Sequence, residues 1–167
     1  GCGPPRTLRA APTESMQHQC QTEAAVDKPH TLDYLNDLVC ETLMRTLGIR
    51  YTDVAEHMLE ATMPVDARHH QPMGILHGGA TAALAETVGS TASMLHLHGS
   101  GRQAVGLELS INHLRSVREG IVTARARADH LGRSTHLWDI RITDGDRRRI
   151  AVARLTMMVL PANRSRD

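Results

Sequence analysis

The sequence predicts an α+β fold, in which one antiparallel sheet wraps around a single long helix. Its 167 residues, 41% of them hydrophobic, suffice for one domain with a sizeable core. One alanine-rich segment, residues 78–97, shows helical spacing without a break. One run before it and four runs after it alternate apolar and polar residues, as half-buried strands do.

The chain divides near residue 30 into an extension and a folded domain. Residues 1–30 contain four prolines and no hydrophobic periodicity, so we expect a flexible N-terminal extension that is dispensable for chemistry. Residues 31–161 form the predicted domain, and residues 162–167 form a C-terminal tail. Thr31 can cap a first helix that ends at Gly48. The apolar stripe of this helix consists of Tyr34, Leu35, Leu38, Val39, Thr42 and Leu43.

A strand and a buried helix follow. Residues 51–65 alternate loosely, which predicts one strand, and the polar run of residues 66–72 continues it as a loop. Small residues cover most of the surface of the long helix, so other backbone segments are expected to pack closely against it. Its helical spacing is carried by Ala80, Leu84, Val88, Thr91 and Leu95.

The later strands are predicted from alternation. The first has four apolar residues that should share one buried face: Val105, Leu107, Leu109 and Ile111. The next three cover residues 121–130, 134–143 and 150–160, with Asp144-Gly145 as the hairpin turn before the last. Trp138, Ile140 and Ile142 share a face of the third strand. One sheet around one helix leaves an edge and part of a face uncovered, so we expect the chain to dimerise.

Composition excludes several classes of function. A formal net charge of +1 offers no global field that would attract nucleic acid or an anionic membrane. Two tyrosines, one tryptophan and no phenylalanine are too few to stack bases. The three cysteines, Cys2, Cys20 and Cys40, form no CxxC pair and have no zinc-ligand spacing, and we expect no secretion signal. We therefore expect a reduced cytoplasmic protein that binds no nucleic acid, membrane or metal.

One carboxylate stands in the middle of the predicted buried helix. Glu86 lies between Leu84 and Val88, where an unpaired ionised carboxylate costs on the order of several kcal/mol. Two interpretations remain open: the side chain faces solvent or a hydrogen-bond partner, or it faces space for a ligand, with Ser90 one turn away. Before the helix, Gly78 and Gly79 would project free N–H groups at its positive end, where an oxyanion can bind.

The sequence around this helix resembles the hotdog-fold acyl-CoA thioesterases. The resemblance is carried by QPMGILHGGATAALAETVGS, preceded by LEATMPVDARHH and followed by AVGLELSINHLRSVREG and ADHLGRS, and it covers residues 31–161 almost without gaps. Within the phenylacetate-type superfamily, it is similar to the subgroup that contains 1,4-dihydroxy-2-naphthoyl-CoA hydrolase and the enterobactin proofreading thioesterase. The resemblance implies a hotdog fold, a continuous sheet across paired subunits, and active sites at the interface of a homodimer, often within a homotetramer.

The resemblance also implies catalytic roles. Glu86 matches the carboxylate that attacks the thioester or activates water against it. Gly78 matches the glycine whose N–H polarises the thioester oxygen, with His77 beside it. Gln71 matches a glutamine that orients substrate or water, and Ser90 matches the hydroxyl residue one turn after the glutamate.

Coenzyme A phosphates need cations, and the segments INHLRSVREG and HLGRS resemble the family's nucleotide-contacting edge. The alternative is that these arginines only solvate a strand end. No cofactor is expected, because coenzyme A is part of the substrate. The residues expected to contact the substrate are Gly79, His113, Arg115, Arg118 and Arg133.

The sequence thus favours a thioesterase that hydrolyses an aromatic or hydroxyaromatic acyl-CoA. Two alternatives from other classes remain open: a non-catalytic acyl-CoA-binding sensor, and an interaction protein that uses the N-terminal extension to dock a synthase or an acyl carrier protein. The thioester itself could also be that of a carrier protein, as for a proofreading thioesterase. The pairs His69-His70 and His96/His98 are expected to be surface-loop histidines, since no acid or cysteine completes a metal site beside them.

Overall fold

The structure, a computed structural model, describes residues 28–161, so most of the predicted extension and the predicted tail lie outside the described residues. Its helices are α1 (Lys28–Asp37), α2 (Leu43–Thr46) and α3 (Gly78–His96). Its strands are β1 (Arg50–Ala55), β2 (Met58–Val65), β3 (Gln103–His113), β4 (Gly120–Leu131), β5 (Thr135–Thr143) and β6 (Arg149–Leu160). Within this part of the chain, no helix combines the length and the apolar character that a membrane crossing requires.

The strands form one antiparallel sheet around α3. Their order is β1-β2-β4-β5-β6-β3. Because α3 contacts β2, β3, β4, β5 and β6, the sheet wraps around the helix as the sequence predicts. The α+β class and the single long central helix are confirmed.

Small residues let α3 approach the sheet closely. Leu84, Ala85 and Val88 are fully buried between the helix and the sheet. At Gly89, an added Cβ would lie 2.5 Å from Leu155 Cδ2, so only glycine fits there without repacking. The predicted face of Trp138, Ile140 and Ile142 in β5 is likewise buried against the helix side. The removal of this apolar surface from water supplies the main stabilisation of the fold.

Residues 51–65 form a hairpin, so the prediction of one strand was wrong. The chain reverses at Glu56 and His57 between β1 and β2, which pair antiparallel. His57 takes a φ of 57°, a conformation that histidine tolerates better than most side chains. A loose alternation of residue types does not reveal a two-residue reversal of this kind.

The first helix also differs from its prediction. α1 begins at Lys28, before Thr31, and ends at Asp37. The remainder of the predicted helix is a turn followed by the short α2, and Gly48 ends that segment with a φ of 65°. The apolar stripe is real in part, because Leu35 and Val39 are buried.

Among the strands of residues 28–161, β3 lies at the edge of the sheet and pairs with β6 alone. A bulge at Leu107 shifts its register and divides the predicted apolar face. Leu109 and Ile111 share the helix side with Gly106, whereas Val105 pairs with the exposed Met158 on the other side. Leu107 is 59% exposed. The prediction of one buried face was therefore wrong for the first half of this strand, because an inserted residue breaks the period of two.

Candidate functional site

The N-terminus of α3 borders a cleft of about 410 Å³. The cleft lies between the loop that precedes α3 and the segment that follows β3, and Leu76, Val117 and Ile150 supply apolar parts of its wall. Four of its lining residues were singled out from the sequence. We call these four residues the cleft cluster: Gln71, Gly78, His113 and Arg115.

His77 caps α3 and forms a hydrogen bond with one of the two glycine N–H groups that were expected to be free. Its Nδ1 accepts a hydrogen bond from the Gly79 N–H at 2.7 Å. A neutral His77 therefore carries its ring proton on Nε2. Gly79 does not present a free N–H to a ligand, contrary to the sequence expectation. The Gly78 N–H makes no hydrogen bond within residues 28–161, so it is the donor that remains at this helix end.

The His113 imidazole lies directly beside Gly78. A Cβ at Gly78 would stand 2.9 Å from His113 Nε2 and 3.3 Å from Cε1. His113 is the last residue of β3, so the edge of the sheet brings this imidazole to the start of α3. A glycine at position 78 thus allows a helix N–H and a histidine ring to occupy one end of the cleft.

Backbone hydrogen bonds hold the loop that carries Gln71. The Gln71 N–H donates to the Ile75 carbonyl oxygen at 2.9 Å, and the Gln71 carbonyl oxygen accepts from the Gly74 N–H at 2.9 Å. The side-chain oxygen of Gln71 accepts a hydrogen bond from the Met73 N–H. Within the described residues, the two N–H bonds of the side-chain amide have no protein acceptor, so they can donate to a ligand in the cleft.

His69 is buried, so the expectation of a surface histidine was wrong for it. Its Nε2 lies 2.9 Å from the Leu47 carbonyl oxygen and its Nδ1 lies 3.2 Å from Asp66 Oδ1. Hydrogen bonds from Arg68 hold the pKa of the Asp66 carboxyl well below its usual range. His69 therefore ties the loop before Gln71 to the body of the domain, a role that no spacing in the sequence indicates.

Glu86 belongs to a second cluster, in the middle of α3. Its Oε1 accepts a hydrogen bond from the Ser90 hydroxyl at 2.9 Å. The same oxygen lies against the backbone of β3, where a Cβ at Gly106 would be 2.5 Å away. The Ser90 hydroxyl also lies 3.7 Å from Met157 Sδ on β6. We call Glu86, Ser90 and Gly106 the carboxylate cluster.

The two clusters are separated within one chain. Glu86 follows Gly78 by eight residues, which is about 12 Å along a helix axis. Its carboxylate is bonded to Ser90, one turn farther from the helix N-terminus, and it does not line the cleft. A single thioester carbonyl therefore cannot contact the Gly78 N–H and the Glu86 carboxylate of the same chain.

The expected phosphate-binding arginines fall in different places. Arg115 is exposed on the cleft wall. Arg118 lies beside the cleft, where its Nη1 donates to the Gly74 carbonyl oxygen at 3.2 Å. Arg133 lies in the turn between β4 and β5, and its carbonyl oxygen accepts a hydrogen bond from Arg102. That turn is at the C-terminal end of α3, so the structure does not bring Arg133 to the cleft of its own chain.

Gly106 is the site residue that the sequence interpretation missed. A glycine inside an alternating strand indicates either a bulge or a close approach by another group. Both occur here, because the bulge follows Gly106 directly and the Glu86 carboxylate lies against it.

Three histidines form a separate group at the other end of α3. The rings of His57 and His96 lie 5.6 Å apart and those of His96 and His136 lie 5.1 Å apart, in both cases edge to face. Burial lowers the pKa of His136 and of His96, and the neighbouring imidazoles lower both further. Within residues 28–161, no group of three or more histidine, cysteine, aspartate or glutamate side chains could hold a metal ion.

Comparison with known proteins identifies the family. The thioesterase superfamily matches residues 73–151. The proofreading thioesterase EntH of Cronobacter turicensis is 48% identical over 130 residues, which are 78% of this chain and 94% of that protein. A crystallised variant of a Pseudomonas aeruginosa thioesterase is 50% identical, with a TM-score of 0.76 and coverage of 78% of this chain and 94% of that one. A Haemophilus influenzae thioesterase is 44% identical, with a TM-score of 0.77 and coverage of 81% and 94%. With the wrapped central helix described above, these similarities show that the chain belongs to the thioesterase superfamily and is a hotdog-fold thioester hydrolase.

Proposed function

We propose that this thioesterase hydrolyses an aromatic or hydroxyaromatic acyl-CoA to the free acid and coenzyme A, with Glu86 as nucleophile or general base. The observation that supports this proposal most directly is the position of the Glu86 carboxylate, which Ser90 holds in the middle of α3 against the backbone of Gly106. The acyl class rests on the resemblance to 1,4-dihydroxy-2-naphthoyl-CoA hydrolases, and similarity to EntH supports the same branch of the family.

Substituted forms of a relative support the choice of Gln71 and Glu86. Two crystal structures of a Staphylococcus aureus protein, 37% and 36% identical to this chain with TM-scores of 0.70 and 0.69, carry alanine in place of one glutamate and of one glutamine. Those two positions are separated by the same number of residues as Gln71 and Glu86. The separation supports a shared role for this pair of side chains.

A second copy of the chain would join the two clusters. β3 is the edge strand beyond β6, and its free edge can pair with another strand. Gly106 lies at the carboxylate cluster and His113 lies at the cleft cluster, near opposite ends of β3. An antiparallel pair of β3 strands related by a two-fold axis would therefore place the carboxylate cluster of each chain beside the cleft cluster of the other chain.

We infer the register from the requirement that the two clusters meet, and the bulge at Leu107 enters the residue count. When the bulge is counted as one extra residue, Gly106 and His113 share the helix-facing side of the strand. Pairing Gly106 with the partner subunit's His113 then puts Ser110 opposite the partner subunit's Ser110, on the two-fold axis. This homodimer has two identical sites, and each takes its carboxylate from one chain and its cleft from the other.

In such a site the thioester oxygen accepts a hydrogen bond from the Gly78 N–H, and the positive end of α3 stabilises the negative charge that develops there. The free amide N–H bonds of Gln71 orient the carbonyl or a water molecule. The partner subunit's Glu86 either attacks the carbonyl carbon, giving an anhydride that water then cleaves, or removes a proton from the attacking water. Either path releases the carboxylic acid, and the departing thiolate takes up a proton.

The phosphates of coenzyme A would bind at the rim of the cleft. Arg115 is exposed there, and Arg118 and His113 border the same space. In the proposed dimer the α3 helices run antiparallel, so Arg133 of the partner subunit approaches this rim from the far end. That arrangement gives Arg133 a role in substrate binding that it lacks within its own chain.

The substrate class is tested by the release of free thiol from a panel of esters. We expect turnover of 1,4-dihydroxy-2-naphthoyl-CoA and benzoyl-CoA, with higher kcat/KM than for medium-chain acyl-CoA. A preference for the aliphatic esters would contradict the proposed acyl class. Tight binding of every ester without release of thiol would instead indicate an acyl-CoA sensor.

A carrier-protein thioester is the second candidate substrate, because it presents the same phosphopantetheine arm. Similarity to a proofreading thioesterase favours it, and so do the exposed arginines 115 and 149, which would face an acidic carrier beside the cleft. A kcat/KM that is higher for an aroyl carrier protein than for the matching aroyl-CoA would select this candidate. Equal values on chains with and without residues 1–30 would show that the N-terminal extension takes no part.

A further inference from the structure

We infer that Gly106 is a positioning residue, whose lack of a side chain gives the Glu86 carboxylate the place from which it acts. This inference rests on the proposed role of Glu86. It concerns the place of the carboxylate, whereas the proposed function concerns the reaction itself, so the two can fail separately.

The distances leave no room for a Cβ at Gly106. Such an atom would lie 2.5 Å from Glu86 Oε1, 3.4 Å from its Cδ and 3.7 Å from Oε2. Carbon and oxygen atoms that are not bonded rarely approach within about 3.0 Å, so the carboxylate would have to move by about half an ångström or more. The colliding atom is the end of a flexible side chain. The chain can therefore fold with alanine at 106, and the carboxylate is the group that gives way.

Backbone conformation does not explain the glycine. Five described glycines have φ between 65° and 98°, the region that disfavours other residues, and Gly106 is not among them. Gly106 pairs in register with Met157 of β6, immediately before the bulge at Leu107. The nearest atoms that a Cβ at this position would meet are those of the Glu86 carboxylate.

Residues on three elements define the position of the carboxylate. Ser90 donates to Oε1 from the helix, Met157 lies against the Ser90 hydroxyl from β6, and Gly106 forms the wall on β3. A methyl group on that wall would push Oε1 away from β3 and strain its bond to Ser90. Because the catalytic group must stay within a fraction of an ångström of its productive position, a displacement of about 1 Å lowers kcat by about 100-fold.

The test compares Gly106→Ala with Gly145→Ala, using release of thiol from benzoyl-CoA by the full chain. Gly145 is a matched control, since a Cβ there meets nothing within 4 Å. We expect kcat to fall by about 10- to 100-fold in Gly106→Ala, for a displacement of about 0.5 to 1 Å, with KM nearly unchanged. Both constants should stay at wild-type values in Gly145→Ala. A wild-type kcat in Gly106→Ala would overturn the inference while leaving the role of Glu86 intact.

A shorter carboxylate separates positioning from a general structural effect. Glu86→Asp draws the carboxylate back from β3, so its loss of kcat should not multiply with that of Gly106→Ala. We expect the fold-loss of kcat in the double variant to be smaller than the product of the fold-losses in the two single variants. Losses that multiply would show that Gly106 acts on something other than this carboxylate.

Unfolding measurements test the inference without an activity assay. Gly106→Ala should shift the midpoint of urea unfolding in the wild-type chain and should shift it less in a Glu86→Ala chain, where no carboxylate is in the way. Equal shifts in both chains, or failure of both to fold, would overturn the inference. If wild-type protein released thiol from no ester of the panel, the proposed function would fail, whereas this stability comparison would still report on the steric role of Gly106.

Discussion

Two inactive variants should restore each other if the site is shared between two chains. Glu86→Gln removes the carboxylate. Gly78→Ala disturbs the cleft, because its Cβ would stand 2.9 Å from His113 Nε2. In a hybrid dimer, one site combines the intact cleft of the first variant with the intact carboxylate of the second, and the other site carries both defects. The reason for expecting a shared site is the separation of about 12 Å along α3 between these positions.

The size of the recovery follows from symmetry. Random pairing of equal amounts of two variants makes half of the dimers hybrid, and each hybrid has one working site of two, so about one quarter of wild-type activity should return. The two proteins are mixed in urea and refolded together, and release of thiol from benzoyl-CoA is measured per dimer. Each variant refolded alone and wild-type protein refolded alone are the controls. Activity of the mixture no higher than the mean of the two separate variants would refute the shared site.

The other predictions concern the interface, the core and the histidine group. In a chain whose native cysteines are replaced by serine, Ser110→Cys should form an intermolecular disulfide on oxidation, seen on a non-reducing gel. Asn112→Cys on the same face should not, because its copies would be about 13 Å apart, and the opposite pattern would contradict the register. Ser93→Ala should lower the free energy of unfolding by about 2–4 kcal/mol, because the Ser93 hydroxyl is the hydrogen-bond partner of both Trp138 Nε1 and His136 Nδ1 in the core. A urea midpoint equal to that of wild type would contradict this. The pKa of His136 and of His96 is lowered in the folded state. Below pH about 6.5 the unfolded chain therefore binds more protons than the folded chain does. The free energy of unfolding should fall as the pH drops below that value. His96→Gln should reduce this pH dependence, measured by urea unfolding between pH 7.5 and 5.5, and an unchanged dependence would count against the assignment.

Local signals were sufficient to predict α3 and most of the strands. The long helix has uninterrupted spacing from Gly78 onward, so its bounds could be derived from neighbouring residues alone, whereas His77 as its N-cap is known only from the structure. Alternation predicted β4, β5 and β6 to within one residue of their ends. The side of β3 could not be predicted in the same way, because the bulge at Leu107 exists only relative to β6. A partner strand determines which residue is the extra one.

The same distinction holds for the site. Glu86 was identifiable because a carboxylate in an alanine-rich helix is unusual, and the glycines at the helix start indicated a donor. Burial of His69 against the Leu47 carbonyl oxygen, by contrast, depends on segments that meet only in the folded chain. The distance between the two clusters also requires the three-dimensional structure, because spacing along a helix does not show which way a carboxylate turns. Ser90 determines that direction here.

The central claim is that the Glu86 carboxylate performs the hydrolysis, and one comparison tests it most directly. Glu86→Gln keeps the size of the side chain and removes its charge, whereas Glu56→Gln makes the same change at a β1–β2 hairpin side chain that is 88% exposed. Both proteins and wild type are given benzoyl-CoA, and free thiol is followed over time. We predict that Glu86→Gln retains less than about 0.1% of the wild-type kcat with unchanged assembly and unfolding midpoint, and that Glu56→Gln matches wild type. A Glu86→Gln protein that turns over at the wild-type rate would contradict the account.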